Sequence, residues 1–217
     1  MQQKLKAQAR LAPPARAWQR MLSGRRLDLF DPSPLDVEIG DIAHGLARLA
    51  RWNGQTKGAH AFSVAQHCVL VEAIAAALKP QLSAKFRLAA LLHDAPEYVV
   101  GDLISPFKAA MGERYKAFEK RIQHAIHIRF GLPPALPVSV AQLIKKADRI
   151  AAYHEAIQLA DFSVADAKAC FGDFGVLSAA LPDMLQPIEP QAAAAAQRTF
   201  LGRFAALDGE GAAAVKG

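Results

Sequence analysis

Two histidines and two aspartates, brought from three places in the chain, are the residue types of this sequence that could together bind a divalent metal ion. His93 and Asp94 are adjacent, His67 lies 26 residues before His93, and Asp148 lies 54 residues after Asp94. Imidazole and carboxylate groups suit ions such as Mn²⁺, Co²⁺ and Fe²⁺. Four such ligands leave positions open for a water and a substrate oxygen, which is the basis of metal-assisted phosphoester hydrolysis.

Two apolar runs predict the helices that carry three of these residues. The run 63–78 begins with a serine suited to an N-cap and contains His67. The run 83–95 is almost wholly apolar before it reaches His93-Asp94, which is typical of a central helix. Ionisable groups in such a place are costly unless something pairs them, and a metal ion is an economical partner.

The rest of the chain predicts an all-α fold with a minor β ornament. Pro96 lacks an N–H and clashes with the carbonyl of Leu92, so the helix before it should end or kink. Asp41 is predicted to cap a short helix, and a Pro-Ser-Pro turn within residues 27–40 predicts a short β-hairpin. Further helices are predicted over residues 41–50, 113–130, 138–159 (with Asp148) and 190–206.

Composition favours one soluble domain in a reducing compartment. The chain has 217 residues, of which 52% are hydrophobic and 21% charged, as in ordinary globular proteins. Cys68 and Cys170 are the two cysteines, too few for a disulfide framework or a cysteine-based zinc site. The sequence shows neither a secretory leader nor an apolar run of about 20 residues, so we expect a cytoplasmic protein without a membrane partner.

The net charge of +6 is concentrated at the N-terminus. Seven of the 26 basic residues precede Asp28, the first acidic residue, and the rest of the chain holds 19 basic against 20 acidic residues. We therefore predict a basic arm over residues 1–26, followed by a single domain over 27–217. A nucleic-acid partner is disfavoured because the body carries almost no net charge. A transit peptide is the alternative reading of the arm, although it is poor in serine.

The motif around the adjacent pair His93-Asp94, which we call the doublet, resembles a known superfamily. Residues 93–108 read His-Asp-Ala-Pro-Glu-Tyr-Val-Val-Gly-Asp-Leu-Ile-Ser-Pro-Phe-Lys. With His67 before this run and Asp148 after it, the sequence resembles the HD-domain phosphohydrolases, in particular the bacterial 5′-deoxynucleotidases. The Arg51-Trp52 pair also matches that branch. Residues 41–45 and 54–56 are closer to phage-type HD enzymes that remove triphosphate from dATP. The resemblance implies an HD-type helical bundle.

The resemblance also implies roles for individual residues. His67, His93, Asp94 and Asp148 would bind one divalent metal ion, with Mn, Co or Fe expected first and Ni, Zn or Mg as alternatives. Catalysis would rest on Glu97 as general acid/base and on Arg51 as a phosphate contact. The substrate would contact Trp52, Lys57, Asp102 and Lys108, with Asp102 accepting a hydrogen bond from the sugar 3′-OH.

Gln66, His124 and His127 are predicted to lie outside the set of metal ligands. Gln66 stands where the deoxynucleotidases usually have Glu, and we expect this change to alter hydrogen bonding around His67. His124 and His127 lie off the apolar stripe of their predicted helix, so a solvated face and a mononuclear metal site are predicted.

The sequence thus predicts a metal-dependent phosphohydrolase acting on nucleotides, most simply a 5′-nucleotidase for deoxynucleoside monophosphates. Three alternatives stay open at this point: a dNTP triphosphohydrolase, a nucleotide-binding sensor without turnover, and a nucleic-acid-binding helical protein. A homodimer is a further open alternative.

Overall fold

The computed structural model describes residues 17–175, 185 and 187–214, and it is mostly helical, as predicted. Two short strands come first, followed by helices that we number in chain order. The strands are β1 (Trp18–Arg20) and β2 (Arg26–Asp28). The helices are α1 (Ile39–Arg48), α2 (Val64–Leu78), α3 (Ala84–Leu91), α4 (Glu97–Val100), α5 (Ser105–Arg129), α6 (Val138–Gln158), α7 (Val164–Phe171) and α8 (Ala193–Ala214). Short 3-10 turns span Pro34–Asp36 and Arg51–Gly54.

The β-hairpin lies earlier in the chain than predicted. β1 pairs antiparallel with β2, and the turn between them uses Gly24 at φ +87°, a backbone conformation that favours glycine. The Pro-Ser-Pro segment instead forms a 3-10 turn capped by Ser33, because prolines cannot donate to a strand ladder. The hairpin spans the predicted arm boundary at residue 26, while residues 1–16 of the arm lie outside the described residues.

Asp41 ties the hairpin to α1 instead of capping that helix. The Asp41 carboxylate accepts two hydrogen bonds from Ser23, one from its backbone N–H at 3.0 Å and one from its side-chain hydroxyl at 2.6 Å. The helix already begins at Ile39, so Asp41 lies inside the first turn, where a carboxylate is favourable. The predicted cap is therefore wrong.

The central helix is α2, which packs against α3, α6 and α8. Its start is the predicted one, because the Ser63 side chain accepts a hydrogen bond from the backbone N–H of Gln66. Val71 and Ile74 are fully buried, as are Ile150 of α6 and Phe200 of α8. Burial of apolar side chains stabilises the fold by about 25 cal/mol per Å², so this interface holds α2 and α6 in a fixed relation.

The segment between α3 and α5 departs most from a regular helix. α3 ends at Leu91, before the doublet, and a tight turn leads into the four-residue helix α4. Tyr98 of α4 packs so closely on α1 that a Cβ atom on Gly45 would lie 2.9 Å from the Tyr98 Cβ. α5 begins earlier than predicted and is interrupted at Gly112, where φ is +69°.

Two further features concern the whole described part of the chain. Helix α7 lies in a stretch for which the sequence predicted only mixed structure. In the described residues, each helix is too short or too polar to cross a bilayer.

Candidate active site

The two predicted histidine ligands face each other across a buried space. His67 on α2 is fully buried, and its Nδ1 lies 2.6 Å from an oxygen of Glu155. His93 directs its Nδ1 to the backbone carbonyl of Ala90 at 2.9 Å. In the neutral form of each imidazole, an Nδ1 that donates to these oxygens leaves a lone pair on Nε2. Among the described residues, neither buried Nε2 has a hydrogen-bond partner.

Two aspartates lie against these nitrogen atoms. Asp94 Oδ2 is 3.2 Å from His93 Nε2 and 3.5 Å from His67 Nε2, while Asp148 Oδ1 is 3.4 Å from His67 Nε2. His67, His93 and Asp148 offer ligand atoms that all lie within 4.8 Å of one another. We call these four residues the His/Asp cluster. Its donors fit a divalent ion because two unpartnered imidazole nitrogens converge with two carboxylates.

The electrostatic environment of the cluster also favours a cation. Burial opposes protonation of His67, but the surrounding carboxylates, Glu155 foremost, raise the pKa of His67 well above its usual range. Burial also opposes a charged His93, yet Asp94 and other neighbours raise the pKa of His93 to about 10. Two buried imidazoles with raised pKa values indicate a strongly negative potential, which a bound divalent ion would satisfy in place of the protons.

Glu155 is a site residue that the sequence reasoning missed. It lies on α6, seven residues after Asp148, which is almost two full helical turns and therefore the same face. Its fully buried carboxylate accepts from His67 Nδ1, from Trp52 Nε1 at 3.0 Å and from Arg51 at 3.3 Å. The seven-residue spacing from Asp148 is the sequence signal that could have revealed it.

Arg51 and Trp52 belong to the same network. The Arg51 guanidinium contacts Asp102 at 3.4 Å as well as Glu155. Burial opposes its charge, but these carboxylates hold the pKa of Arg51 above its usual range. Trp52 packs edge-on against Phe162 and Phe171 of the α7 region. Its position between a carboxylate and two aromatic rings makes Trp52 an anchor for the Arg51 turn.

Glu97 and Lys108 are hydrogen-bonded to each other on the other side of the His93-Asp94 doublet. Lys108 Nζ lies 2.7 Å from Glu97 Oε1, while the buried Glu97 Oε2 has no partner among the described residues. Burial first, and then the charges of Asp94 and Asp102, raise the pKa of Glu97 to about 8. A carboxyl group that holds its proton near neutral pH beside the cluster is suited to proton transfer.

Lys57 and Gln66 point away from the cluster. Lys57 is exposed and forms an ion pair with the exposed Asp161. Gln66 donates to the backbone carbonyl of Glu189 at 2.9 Å and accepts from the backbone N–H of Gln191 at 3.0 Å. The predicted effect of Gln66 on hydrogen bonding around His67 is therefore wrong. An amide fits here because it donates and accepts at once, which an ionised Glu cannot do.

His127 is buried, which contradicts the predicted solvated face. It is 4% exposed, and its Nδ1 lies 3.0 Å from the carbonyl of Pro133. Gln123, one turn earlier on α5, places its amide nitrogen 2.6 Å from His127 Nε2. The turn that follows α5 folds back over that helix and covers the ring, while His124 stays partly exposed.

A cavity of about 260 Å³ opens beside the cluster. Its polar lining residues are His93, Asp94, Gln123, His127, Lys145 and Asp148. The Lys145 side chain lies 2.8 Å from Asp148 Oδ2. The cluster is thus accessible from the side where α5 and α6 meet.

Comparison with known proteins agrees with this geometry. A family model described as 5′-deoxynucleotidase YfbR-like matches residues 42–165, the stretch that contains all four residues of the His/Asp cluster. The chain belongs to the YfbR-like 5′-deoxynucleotidase family. The resemblance to HD-domain phosphohydrolases is thereby confirmed, and the family is one of hydrolases.

Two individual proteins are also similar to this chain. An uncharacterised protein of Rhodobacter capsulatus is 59% identical over 157 residues, which cover 72% of this chain and 80% of the relative. YfdR of Escherichia coli, also uncharacterised, is 39% identical over 111 residues, or 50% of this chain and 57% of YfdR.

Proposed function

We propose that this protein is a divalent-metal-dependent 5′-nucleotidase that hydrolyses deoxynucleoside 5′-monophosphates to the deoxynucleoside and inorganic phosphate. The observation that carries the proposal is the convergence of two unpartnered buried Nε2 atoms with Asp94 and Asp148. Membership of the YfbR-like family supports the same reaction. One ion per chain is proposed, held by the His/Asp cluster.

The charges around the cluster favour a monophosphate over a triphosphate. Arg51 is shared between Glu155 and Asp102, Lys108 is paired with Glu97, and Lys145 is paired with Asp148. Arg51 and Lys145 are balanced by carboxylates, and Lys108 contacts Glu119 at 3.5 Å as well as the carboxyl group of Glu97. A triphosphate chain would bring several more negative charges against carboxylates, with little free positive charge to offset them.

Arg51 and Asp102, beside the cluster, would bind the phosphate and the sugar of the substrate. When bound, a divalent ion supplies Lewis-acid stabilisation of the phosphate and lowers the pKa of a water. Arg51 would exchange one carboxylate contact for a phosphate oxygen, which its planar guanidinium can bind through two N–H groups. Asp102, released by this exchange, would accept a hydrogen bond from the sugar 3′-OH. Both residues are mostly buried, so their geometry is held in advance of binding.

Glu97 would move the protons. Hydrolysis of the phosphoester takes a proton from the attacking water and returns one to the 5′ oxygen of the leaving deoxynucleoside. The unpartnered Glu97 Oε2 is the atom free to do this, since Lys108 occupies Oε1. A positioned general acid/base contributes roughly 10²–10⁴-fold to such a rate. Lys108 keeps the carboxyl group in one orientation.

The test is a substrate screen with identified products. Purified protein would be incubated with Mn²⁺, Co²⁺ or Mg²⁺ and with deoxy- and ribonucleoside mono- and triphosphates, and the products would be separated by chromatography. Deoxynucleoside with inorganic phosphate is the expected result. Asp148→Asn should abolish it, whereas Asp173→Asn, at an exposed aspartate paired with Lys168, should not. Release of triphosphate from a dNTP would replace the proposal with the triphosphohydrolase alternative, and binding without product would favour a sensor.

A further inference from the structure

The carbonyl group of Leu92 lies at the break between α3 and the doublet. The backbone after α3 uses hydrogen bonds that span three residues, such as the bond from Ala95 N to Leu92 O at 3.1 Å. In a regular helix this carbonyl would accept from the N–H four residues later, but that residue is Pro96, which has none. The Leu92 oxygen accepts from Ala95 instead of from its usual helical donor, and its second lone pair is open to a donor from elsewhere.

Gln123 of α5 supplies a donor to this oxygen from 31 residues away. Its Nε2 lies 3.1 Å from Leu92 O and 2.6 Å from His127 Nε2. An amide nitrogen has two N–H groups, so both contacts can be made at once. The carbonyl of Pro133 accepts a hydrogen bond from His127 Nδ1, which leaves His127 Nε2 as an acceptor.

The orientation of the Gln123 amide follows from these partners. A reversed amide would set Oε1 against the Leu92 carbonyl, and two acceptors cannot form a hydrogen bond. It would also require a proton on His127 Nε2, although the Pro133 carbonyl already requires one on Nδ1. In the observed orientation Oε1 is buried and without a partner among the described residues. The contact to Leu92 O is kept even though it leaves an acceptor unsatisfied.

We propose that Gln123 is a positioning residue for the metal centre, held in place by His127. The Leu92 carbonyl belongs to the peptide that leads directly into His93, so a hydrogen bond to it fixes the direction in which His93 and Asp94 project. Gln123 touches neither substrate nor metal ligand atoms in this role. From a neighbouring helix, it adds a second restraint on the Leu92 carbonyl beside the bond from Ala95, where Pro96 cannot donate.

The helix that carries Gln123 is buried in the core, which holds Gln123 in a fixed position. Ile122, Ala125 and Ile126 of α5 are 0–3% exposed, so the helix that carries Gln123 and His127 is embedded in the core. Partners that orient metal ligands typically affect metal affinity or activity by about 10–100-fold. We expect an effect of that size at the metal, and little effect on binding of the nucleotide once metal is saturating.

The inference rests on the proposed metal centre, and its test does not depend on turnover. Mn²⁺ affinity would be measured without nucleotide, from the electron paramagnetic resonance signal of the free ion, for Gln123→Met and Gln123→Glu. Both keep the length of the side chain and remove the N–H donors. Gln142→Met, at an exposed position of α6, is the matched control. Circular dichroism would establish that each variant is folded.

Weakening of the Mn²⁺ affinity by about 10-fold or more in a folded Gln123 variant, with the control unchanged, is the expected result. An affinity within about 2-fold of wild type would overturn the proposal, because partners of metal ligands act more strongly than that. If one Gln123 variant fails to fold, the other decides. These outcomes are separate from the proposed function, because wild-type protein could bind Mn²⁺ and still fail to hydrolyse monophosphates.

A second variant tests the link to Pro96. Pro96→Ala provides a backbone N–H four residues after Leu92, so it offers the carbonyl an alternative donor. In the double variant Gln123→Met/Pro96→Ala, the metal affinity should recover part of what Gln123→Met loses. A purely structural role of Gln123 would give additive losses, and additive losses would overturn the role assigned here.

Discussion

Replacing Glu155 by Gln should damage the proposed metal centre without changing a proposed metal ligand. The change keeps the size of the side chain but turns a doubly accepting carboxylate into one acceptor and one donor. In the native arrangement Glu155 accepts from His67, Trp52 and Arg51. If the Gln oxygen faces His67, its NH₂ group faces the N–H donors of the other two. If it is reversed, His67 must hold its proton on Nε2, which then blocks the metal.

The expected loss of stability in Glu155→Gln follows from the burial of the Glu155 carboxylate. The Glu155 side chain is fully buried, and the Arg51 guanidinium that it contacts is 14% exposed. Breaking a buried ion pair by removing one partner costs about 3–5 kcal/mol. For a chain of this size, each kcal/mol moves the melting temperature by roughly 2–4 °C, so a decrease of about 6–20 °C is expected. Because Glu155 orients His67, a proposed metal ligand, its loss should weaken metal affinity by about 10–100-fold.

The assay combines thermal melts with Mn²⁺ binding. Glu113→Gln is the matched control, since Glu113 is 87% exposed and, among the described residues, is paired with the exposed Lys116, and exposed pairs of this kind contribute little to stability. A melting temperature and a Mn²⁺ affinity of Glu155→Gln that both equal those of the control would refute the reasoning. They would mean that neither the tautomer of His67 nor the charge of Arg51 depends on Glu155.

Three further predictions concern catalysis, the C-terminal segment and the metal. Glu97→Gln should retain metal and nucleotide binding but lose about 10²–10⁴-fold in kcat, measured as phosphate release beside calorimetric binding; full kcat in this variant would remove Glu97 from the mechanism. Gln66→Glu should lower the free energy of unfolding by about 1 kcal/mol, because the donor to the Glu189 carbonyl is lost, and leave Mn²⁺ affinity unchanged; weaker Mn²⁺ binding would place Gln66 in the site after all. Adding Mn²⁺ at 100 times its dissociation constant should stabilise the apo protein by about 2.7 kcal/mol, read as a rise in melting temperature that excess chelator reverses; no rise would argue against a metal site.

The sequence predicted the parts of the fold that local patterns determine. Ser63 marks the start of α2, and the Gly/Pro-rich segment 131–137 marks the start of α6, whose predicted bounds are correct to within a residue. The hairpin was misplaced because its position depends on a long-range bond between Ser23 and Asp41, which no local pattern encodes. Helix α7 was missed because its eight residues give too short a periodic signal.

The same distinction holds for the candidate site. Spacing and motif predicted the His/Asp cluster, and the structure brings those residues together. Glu155 and Gln123 were not predicted, since their roles arise only where α6 meets α2 and where α5 meets the doublet. His127 was assigned to a solvated face because the helical pattern of α5 cannot show that the following turn folds back and covers it.

Glu155 links the proposed substrate contact to the proposed metal ligand. Its carboxylate holds the Arg51 guanidinium on one oxygen and the His67 imidazole on the other. A phosphate bound to Arg51 would share the positive charge of that guanidinium with Glu155, which leaves more of the negative charge of Glu155 to His67 and makes that imidazole a stronger ligand. Because coupling between two binding sites is reciprocal, a bound metal should then tighten nucleotide binding by the same factor by which nucleotide tightens metal binding. The two affinities are therefore coupled through one buried carboxylate, and removing its charge should uncouple them.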